Sequence, residues 1–329
     1  MTPFKYHRAD SPARAVQLAV VDDSSHYLGG GTNLIDLMRE GVTGASALVD
    51  ISRLDLAGIS ETANGGVSIG ATAKNTETAN HPLIRQRYPL LTQAILAGAT
   101  MQIRNMATNG GNLLQRTRCP YFYDVATPCN KREPGSGCGA MEGLNRTHAI
   151  FGHSESCIAV HPSDMCVALA ALEAVVKVHG ANGQVRSIPF DEFHRLPGDE
   201  PQKDNNLQPG DLIEAIELPA SPFGKSSHYL KVRDRTSYAF ALISVAAAVQ
   251  VEGGRIKQAR VALGGVAHKP WRAWKVEESL VGKAATVEEF TKAADMELAD
   301  AKPVEHNAYK VPLAKHGIVR ALSVAAGIA

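Results

Sequence analysis

No apolar run in this 329-residue chain approaches the roughly 18 residues needed to cross a bilayer, so no membrane span is expected. An excess of one charge is missing too. With 34 basic and 33 acidic side chains, there is no broad field to gather nucleic acid or an anionic lipid surface, and no nucleic-acid partner is expected. The first residues, "MTPFKYHRADSPARAVQLAV", lack the basic-then-apolar order of a secretory signal, so no export address of the chain's own is expected. Internal repeats and low-complexity tracts are absent. Cysteine is sparse, with five residues; an odd number, mostly gathered in one segment, is not the disulfide framework of a secreted protein.

What is present is an ordinary globular composition, 44% hydrophobic and 20% charged, which argues against disorder. The chain is longer than one core usually organises, so two or three modules are expected. "TPFKYHRA" reads as a strand, and "SPARAVQLAVVDD" as a helix capped by Ser11 with Pro12 at its first position. "SSHYLGGGTNLIDLMREG" gives a short strand, three glycines and a helix closed by Gly41, and "SALVDIS" a further strand, together a βαβ-type unit. "GGVSIGATAKN" is another strand. Two helical patterns fall in 75–99, a second glycine loop follows in "MQIRNMATNGGNLLQ", and "HPSDMCVALAALEA" is an apolar helix capped by Ser163. "AVVKVHGANGQVRSIPF" reads as a hairpin turning at Asn182-Gly183. Beyond "LPASPFGKSS", a connection rich in proline, glycine and serine, two long strands join at Gly253-Gly254, although the start of "SYAFALISVAAAV" is open to helix as well. A helix begins at Thr286, with Glu289 completing a capping box, and "PLAKHGIVRALSVAAG" is a C-terminal helix.

Gly29, Gly30 and Gly31 remove side chains where backbone must approach a ligand closely, and the helix that follows turns free N–H groups and a positive dipole end to the same place. A phosphate or pyrophosphate suits such a turn. Asp50 stands at a strand end about 20 residues on, as the ribose-binding acid of a Rossmann fold would. The third fingerprint glycine, however, is replaced by Leu34, which argues against that fold. The plain alternative is a tight turn before a helix. "TNGGN", at 108–112, again offers small residues and backbone donors, so one ligand with two phosphates and a polar linker can use both stretches.

Four of the five cysteines, Cys119, Cys129, Cys138 and Cys157, fall in "RTRCPYFYDVATPCNKREPGSGCGAMEGLNRTHAIFGHSESC". Their spacings are far wider than the C-x2-C pairs of zinc fingers or ferredoxins. The surroundings favour an iron–sulfur cluster. Arg116, Arg118, Lys131 and Arg132 can offset thiolate charge, while Pro120, Tyr121, Phe122 and Tyr123 can shield a cluster from water. The glycines of "EPGSGCGA" let backbone amides approach sulfur. Structural zinc needs the same four thiolates and stays open as the alternative; disulfides rank lower. Cys166, in an apolar helix, reads as a small buried hydrophobe. His148, His153 and His161 read as surface or hydrogen-bonding residues in preference to ligands.

"GGGTNLIDLM", "TNGGNLLQ" and "HPSDM" resemble the flavin-contacting loops of the FAD-binding (medium) subunits of the molybdenum hydroxylase, or xanthine dehydrogenase, family. The resemblance covers essentially the whole chain, through "KVRDRTSYAFALISVAAAV" to "VALGGVAHKPWR". More narrowly, "GNLLQRTRCPYFYD", "PCNKR" and "GSGC" are similar to the FAD subunit of bacterial three-subunit periplasmic aldehyde oxidoreductases. There a segment inserted after the second glycine loop binds a [4Fe–4S] cluster. The resemblance implies an α+β fold with an FAD-binding domain over 1–218, built of two α/β subdomains in a flavin fold of the PCMH/VAO type and not Rossmann. The subdomains cover about 1–60 and 61–218, the second carrying the insert at about 116–158. A C-terminal α+β domain over 219–329 resembles the CO dehydrogenase flavoprotein C-terminal domain.

Carried over by position, Leu28, Gly29, Gly30, Gly31, Thr32, Asn33 and Leu34 would wrap the FAD pyrophosphate. Thr108, Asn109, Gly110, Gly111 and Asn112 would hold its second side, and Asp164 would contact the ribityl or ribose. Lys231, His268 and Lys269 would stand near the isoalloxazine. Cys119, Cys129, Cys138 and Cys157 would bind one [4Fe–4S] cluster. No catalytic side chain is implied, because FAD accepts electrons singly or in pairs and can pass them to an external acceptor. The implied partners are a large molybdenum-cofactor subunit, where an aldehyde becomes a carboxylic acid, and a small [2Fe–2S] subunit, in a heterotrimer. The resemblance also implies a periplasmic location by co-export with a signal-bearing partner, with the cytoplasm as alternative. The contrasting functions are a stand-alone FAD dehydrogenase or oxidase and a zinc-stabilised interaction module.

Overall fold

Three sheets organise the chain in a computed structural model that describes residues 1–329. The first is parallel, in the order β1 (Lys5–Arg8), β3 (Ala47–Asp50), β2 (Ser25–Leu28), with the helices Pro12–Ala19 and Leu34–Arg39 as connections. This is the βαβ unit expected from the sequence. Ser11 accepts the N–H of Arg14, and Pro12 occupies the first turn, where its missing donor costs nothing.

The second sheet is antiparallel, in the order β4 (Ile59–Glu61), β5 (Val67–Gly70), β8 (Leu212–Leu218), β6 (Val175–His179), β7 (Val185–Pro189). β6 and β7 form the expected hairpin. Between β5 and the second glycine stretch the sequence suggested two helical patterns; the structure has Asn75–Asn80, Pro82–Arg87 and Pro89–Ala97 before the further helix Met101–Met106. Pro82 and Pro89 each open a new helix because proline cannot donate to the preceding turn.

The third sheet runs β12 (Trp271–Arg272), β11 (Arg255–Gly264), β10 (Ile243–Glu252), β9 (Ser227–Val232), all antiparallel. Residues 237–242 are irregular, so the helical option there does not form. Both faces of β10 are buried. Ala246 and Ala248 join the core over the second sheet and the helices Pro89–Ala97 and Asp164–Ala171. Ile243, Val245, Ala247 and Val249 join a separate core under the helices Trp274–Leu280, Val287–Leu298 and Lys310–Ala325. The period of two along a strand sends alternate side chains into the two cores. The C-terminal sheet is thereby packed directly against the second sheet's helices. At Thr286 only half of the expected capping box forms: its hydroxyl accepts the Glu289 N–H, while the Glu289 carboxylate pairs with Lys292.

The cysteine segment has little regular structure beyond the helix Pro120–Tyr123, and side chains hold its backbone instead. Asn130 Oδ1 accepts the N–H groups of Gly135 (3.1 Å) and Gly137 (2.8 Å). Arg132 donates to the carbonyls of Tyr121 and Phe122 at 2.9 and 2.8 Å. Lys131, its side chain 1% exposed, donates to Asp204 Oδ1 at 2.5 Å and to the Pro201 carbonyl at 2.6 Å, and Arg116 Nε reaches Asp204 Oδ2 at 2.8 Å. From the C-terminal domain, buried Lys310 donates to the carbonyls of Thr147, His148 and Gly265. The basic residues expected to offset thiolate charge are therefore mostly committed to carboxylates and carbonyls of the scaffold.

Burial pushes the Asp204 carboxyl up, but Lys131 and Arg116 outweigh it and hold the group well below the ordinary carboxylate range. A depressed folded value stabilises the fold above the unfolded pKa of about 3.9, and that contribution is lost as the pH falls below it. Asp204→Asn is expected to leave Lys131 buried and unpaired, costing about 3–5 kcal/mol, and to flatten the acid limb of the stability curve. Urea unfolding at pH 7 and at about pH 2, between the folded and unfolded values, checks both; equal midpoints for variant and wild type at pH 7 would rule out the clamp.

Candidate functional site

The Gly29–Gly31 turn lies face to face with the segment before the second glycine stretch. A Cβ on Gly30 would stand 2.0 Å from the Met106 carbonyl oxygen, and one on Gly29 would stand 2.8 Å from Thr108 Oγ1. Gly31 has φ +72°, a conformation that favours glycine. The two stretches nevertheless differ in what they offer. No backbone N–H from Gly29 through Leu34 donates to any protein acceptor. In the second stretch, by contrast, Asn109 and Gly110 donate to the carbonyls of Ala73 and Ala71, Gly111 to Thr108 Oγ1, and Asn112 to the Thr108 carbonyl. The sequence reading gave both stretches donors for a phosphate; the second is in fact the short helix Asn109–Leu113, and its amides are already satisfied. The first carries the free amides. Because the helix after it, Leu34–Arg39, has only six residues, those amides matter more than any summed dipole.

Thr32 and Asn33 border a cavity of about 670 Å³, a size typical of cofactor sites. Of the other sequence-predicted FAD residues, Gly111, Asn112, Asp164 and Lys231 also border it. Leu28, Gly29, Gly30, Gly31, Leu34, Thr108, Asn109 and Gly110 do not border it. Asn109 is fully buried, donating to Thr78 Oγ1 at 2.7 Å and accepting from Asn75 at 2.9 Å, so its amide holds the fold. Asp164 accepts from Tyr229 OH and from Lys231 Nζ, each at 2.7 Å. That pair ties the helix Asp164–Ala171 to β9 at the cavity wall, and burial beside Asp164 raises the Tyr229 pKa well above its ordinary value. His268 and Lys269 do not border the cavity. His268 is buried, with Nδ1 on the Arg195 carbonyl and Nε2 3.7 Å from Asp204, and Lys269 donates to the Asp191 carbonyl. Asp50, the Rossmann-type candidate, is engaged by Tyr6, Arg8 and Ser52.

The sequence reading assigned no role to the loop after β9. Arg235, Tyr238 and Phe240 border the cavity, with Tyr238 and Phe240 at least half exposed and Tyr238 at φ +49°. Arg118 stacks over Phe240 at 5.3 Å. The only signal in the sequence was one aromatic pair in an otherwise polar stretch, "RDRTSYAF".

Cys119, Cys129, Cys138 and Cys157 all border one small cavity, walled by Tyr121, Phe122, Pro128, Ala140 and Ala159, with Lys131 also at its edge. None is in a disulfide. Pro120 and Tyr123, expected as shields, stand outside it; Tyr123 turns to Asp36 and Arg118. Burial, reinforced by the neighbouring cysteines, pushes the Cys119 thiol up to about 12 and the Cys157 thiol up to about 11. Four crowded sulfurs of this kind ionise together only around a cation, so the donor set fits a metal centre. Cys166 is buried outside this cavity. Thr117 and Cys119 border both cavities, so the two share a wall.

Residues 2–221 match the family described as the FAD binding domain in molybdopterin dehydrogenase, and residues 228–325 match the CO dehydrogenase flavoprotein C-terminal domain. The chain is 47% identical over 325 residues to the aldehyde oxidoreductase FAD-binding subunit PaoB of Escherichia coli (strain K12), with 99% of each chain covered. It is 29% identical to the glyceraldehyde dehydrogenase medium chain of Sulfolobus acidocaldarius, covering 85% of this chain and 82% of that one. Among solved structures, a carbon monoxide dehydrogenase from Hydrogenophaga pseudoflava superposes with a TM-score of 0.77 at 28% identity, covering 100% of this chain and 99% of that one. No helix is long and apolar enough to cross a membrane.

Gly30→Ala is expected to separate the two glycine stretches whether or not a ligand is bound, costing about 1–3 kcal/mol and releasing the cofactor. Flavin content and the melting temperature of the flavin-free protein check this; an unchanged flavin-free melting temperature would overturn the packing account.

Proposed function

The chain belongs to the FAD-binding medium subunits of the molybdenum hydroxylase family, and from that membership we propose that it serves an aldehyde oxidoreductase as the subunit holding FAD and one [4Fe–4S] cluster. FAD binding and an oxidoreductase role come with the family. The cluster, the aldehyde and the electron route belong to the proposal. In it, a large partner holds the molybdenum cofactor and oxidises an aldehyde to a carboxylic acid, and a small partner holds [2Fe–2S] centres. The choice of aldehyde rests on the 47% identity to the E. coli subunit over 99% of both chains.

Bound FAD supplies the exchange of electrons, singly or in pairs, with an external acceptor. The protein's own residues do the rest. Of the unpartnered amides, those of Thr32 and Asn33, which border the cavity, meet the pyrophosphate, and Asn112, Asp164 and Lys231 form the polar wall behind the sugar chain. Tyr238 and Phe240 stand at the rim, where aromatic faces exclude water from a flavin ring.

The observation that carries the cluster is the convergence of all four segment cysteines on one cavity that shares Cys119 with the larger one. A [4Fe–4S] cluster supplies single-electron storage there. Tyr121, Phe122 and Pro128 keep water from it, and the Ala159 N–H, 3.4 Å from Cys157 Sγ, donates to sulfur. A stand-alone flavoenzyme is disfavoured because the relatives are named as subunits or medium chains.

In the complex purified anaerobically with its partners, Cys129→Ser is expected to lower iron by up to four atoms per complex while leaving FAD in place. Metal analysis and flavin extraction read the two separately. Wild type and variant with equal iron would sink the cluster assignment, and zinc at that stoichiometry would replace it.

A further inference from the structure

We infer that His148 is a positioning residue for the cluster: it donates Nε2–H to the Cys119 sulfur and holds the cluster's reduction potential up at the one ligand that also borders the flavin cavity. The inference rests on the four-cysteine reading above. His148 Nε2 lies 3.1 Å from Cys119 Sγ, and the ring is buried, with 2% of the residue exposed. A metal-bound thiolate has no proton to give, so the imidazole must be the donor and Nε2 carries the hydrogen. The other nitrogen, Nδ1, is buried without a partner. That suits the neutral tautomer, in which Nδ1 carries only a lone pair.

The backbone of His148 is held in place from the C-terminal domain. The His148 carbonyl accepts from Asn307 Nδ2 at 3.1 Å and from Lys310 Nζ at 2.9 Å, and its N–H donates to the Asn145 carbonyl at 3.1 Å. Tyr121 packs near it, with ring centroids 6.4 Å apart. Two stretches distant in sequence, Tyr121 and the Asn307–Lys310 segment, thus converge on the residue whose ring stands against one sulfur.

The placement is specific to Cys119. Of the four cysteines it alone borders the larger cavity, which His148 and Thr147 border as well. Reduction adds one electron to the iron–sulfur core and moves no proton. The added charge spreads onto the sulfurs, so a hydrogen bond to sulfur stabilises the reduced form more than the oxidised one. Removing the bond must therefore make the potential more negative.

The test uses the whole complex with its partners, reduced stepwise with dithionite and followed by electron paramagnetic resonance. The signal absent from Cys129→Ser identifies this cluster among the partner's centres. His148→Phe is expected to keep the iron content of wild type and to shift that signal's midpoint to more negative potential, whereas His148→Gln, which can still donate, restores most of it. An unshifted midpoint in a fully loaded His148→Phe overturns the inference. Should His148→Phe fail to assemble, wild-type protein labelled with 15N-histidine decides: nuclear hyperfine coupling from a histidine nitrogen to the reduced cluster is expected, and its absence overturns the inference. A wild-type complex lacking the four extra iron atoms would instead defeat the cluster reading itself.

Discussion

The contact between the backbone at Gly30 and the carbonyl of Met106 is the constraint from which the flavin site follows. It brings the turn after β2 against the segment that precedes the second glycine stretch so closely that a single methyl group would not fit. Because the contact is backbone to backbone, it aligns the turn without using the turn's donors. The amides of Gly29 to Leu34 are left without acceptors, while those of 109–112 are closed on Ala71, Ala73 and Thr108. The two glycine stretches look alike as sequence and do opposite work, one as a donor surface and the other as the platform that supports it.

A similar division runs through the cysteine segment. Its backbone is too irregular to hold four sulfurs by hydrogen-bond ladders, so side chains from both flanking domains do it. Asp204 anchors Lys131 and Arg116 on one side, and Lys310 with Asn307 fixes Thr147, His148 and Ala149 on the other. The positive charges that a count of basic residues assigns to the thiolates are largely neutralised within the scaffold. What reaches the sulfurs is more selective: Lys131 at the cavity edge, the Ala159 amide and one imidazole N–H.

Local signals were legible in the sequence where they depend on short-range chemistry. Ser11 and Pro12, Ser163, the Asn182-Gly183 turn and the βαβ opening all form as their residues dictate. The four cysteines that share a cavity were also legible, since their clustering had no better explanation. What the sequence could not show were outcomes decided by tertiary neighbours. Glu289 abandons the capping box for Lys292, Tyr123 turns from the cysteines to Asp36, and His268 goes to the Asp204 network instead of bordering the cavity. In each case a polar group had two satisfactory partners, and only packing chose between them. The rim aromatics Tyr238 and Phe240 were missed for the converse reason, since nothing in "RDRTSYAF" marks an irregular loop as a wall.

The shared wall between the two cavities gives the inserted segment a meaning beyond added stability. A structural metal serves equally well anywhere on a surface, and it gains nothing from a ligand that also borders a redox cofactor's cavity. Here the cysteine in that position, Cys119, is also the one 3.1 Å from the imidazole of His148, whose backbone carbonyl is held from the C-terminal domain. The same domain supplies Lys231, Tyr238 and Phe240 to the larger cavity. One domain therefore shapes both sites from the side they have in common, so a displacement of that domain alters both together. On the proposed reading, with a cluster in one cavity and a flavin in the other, the charge held at one site enters the potential of the other through the wall they share.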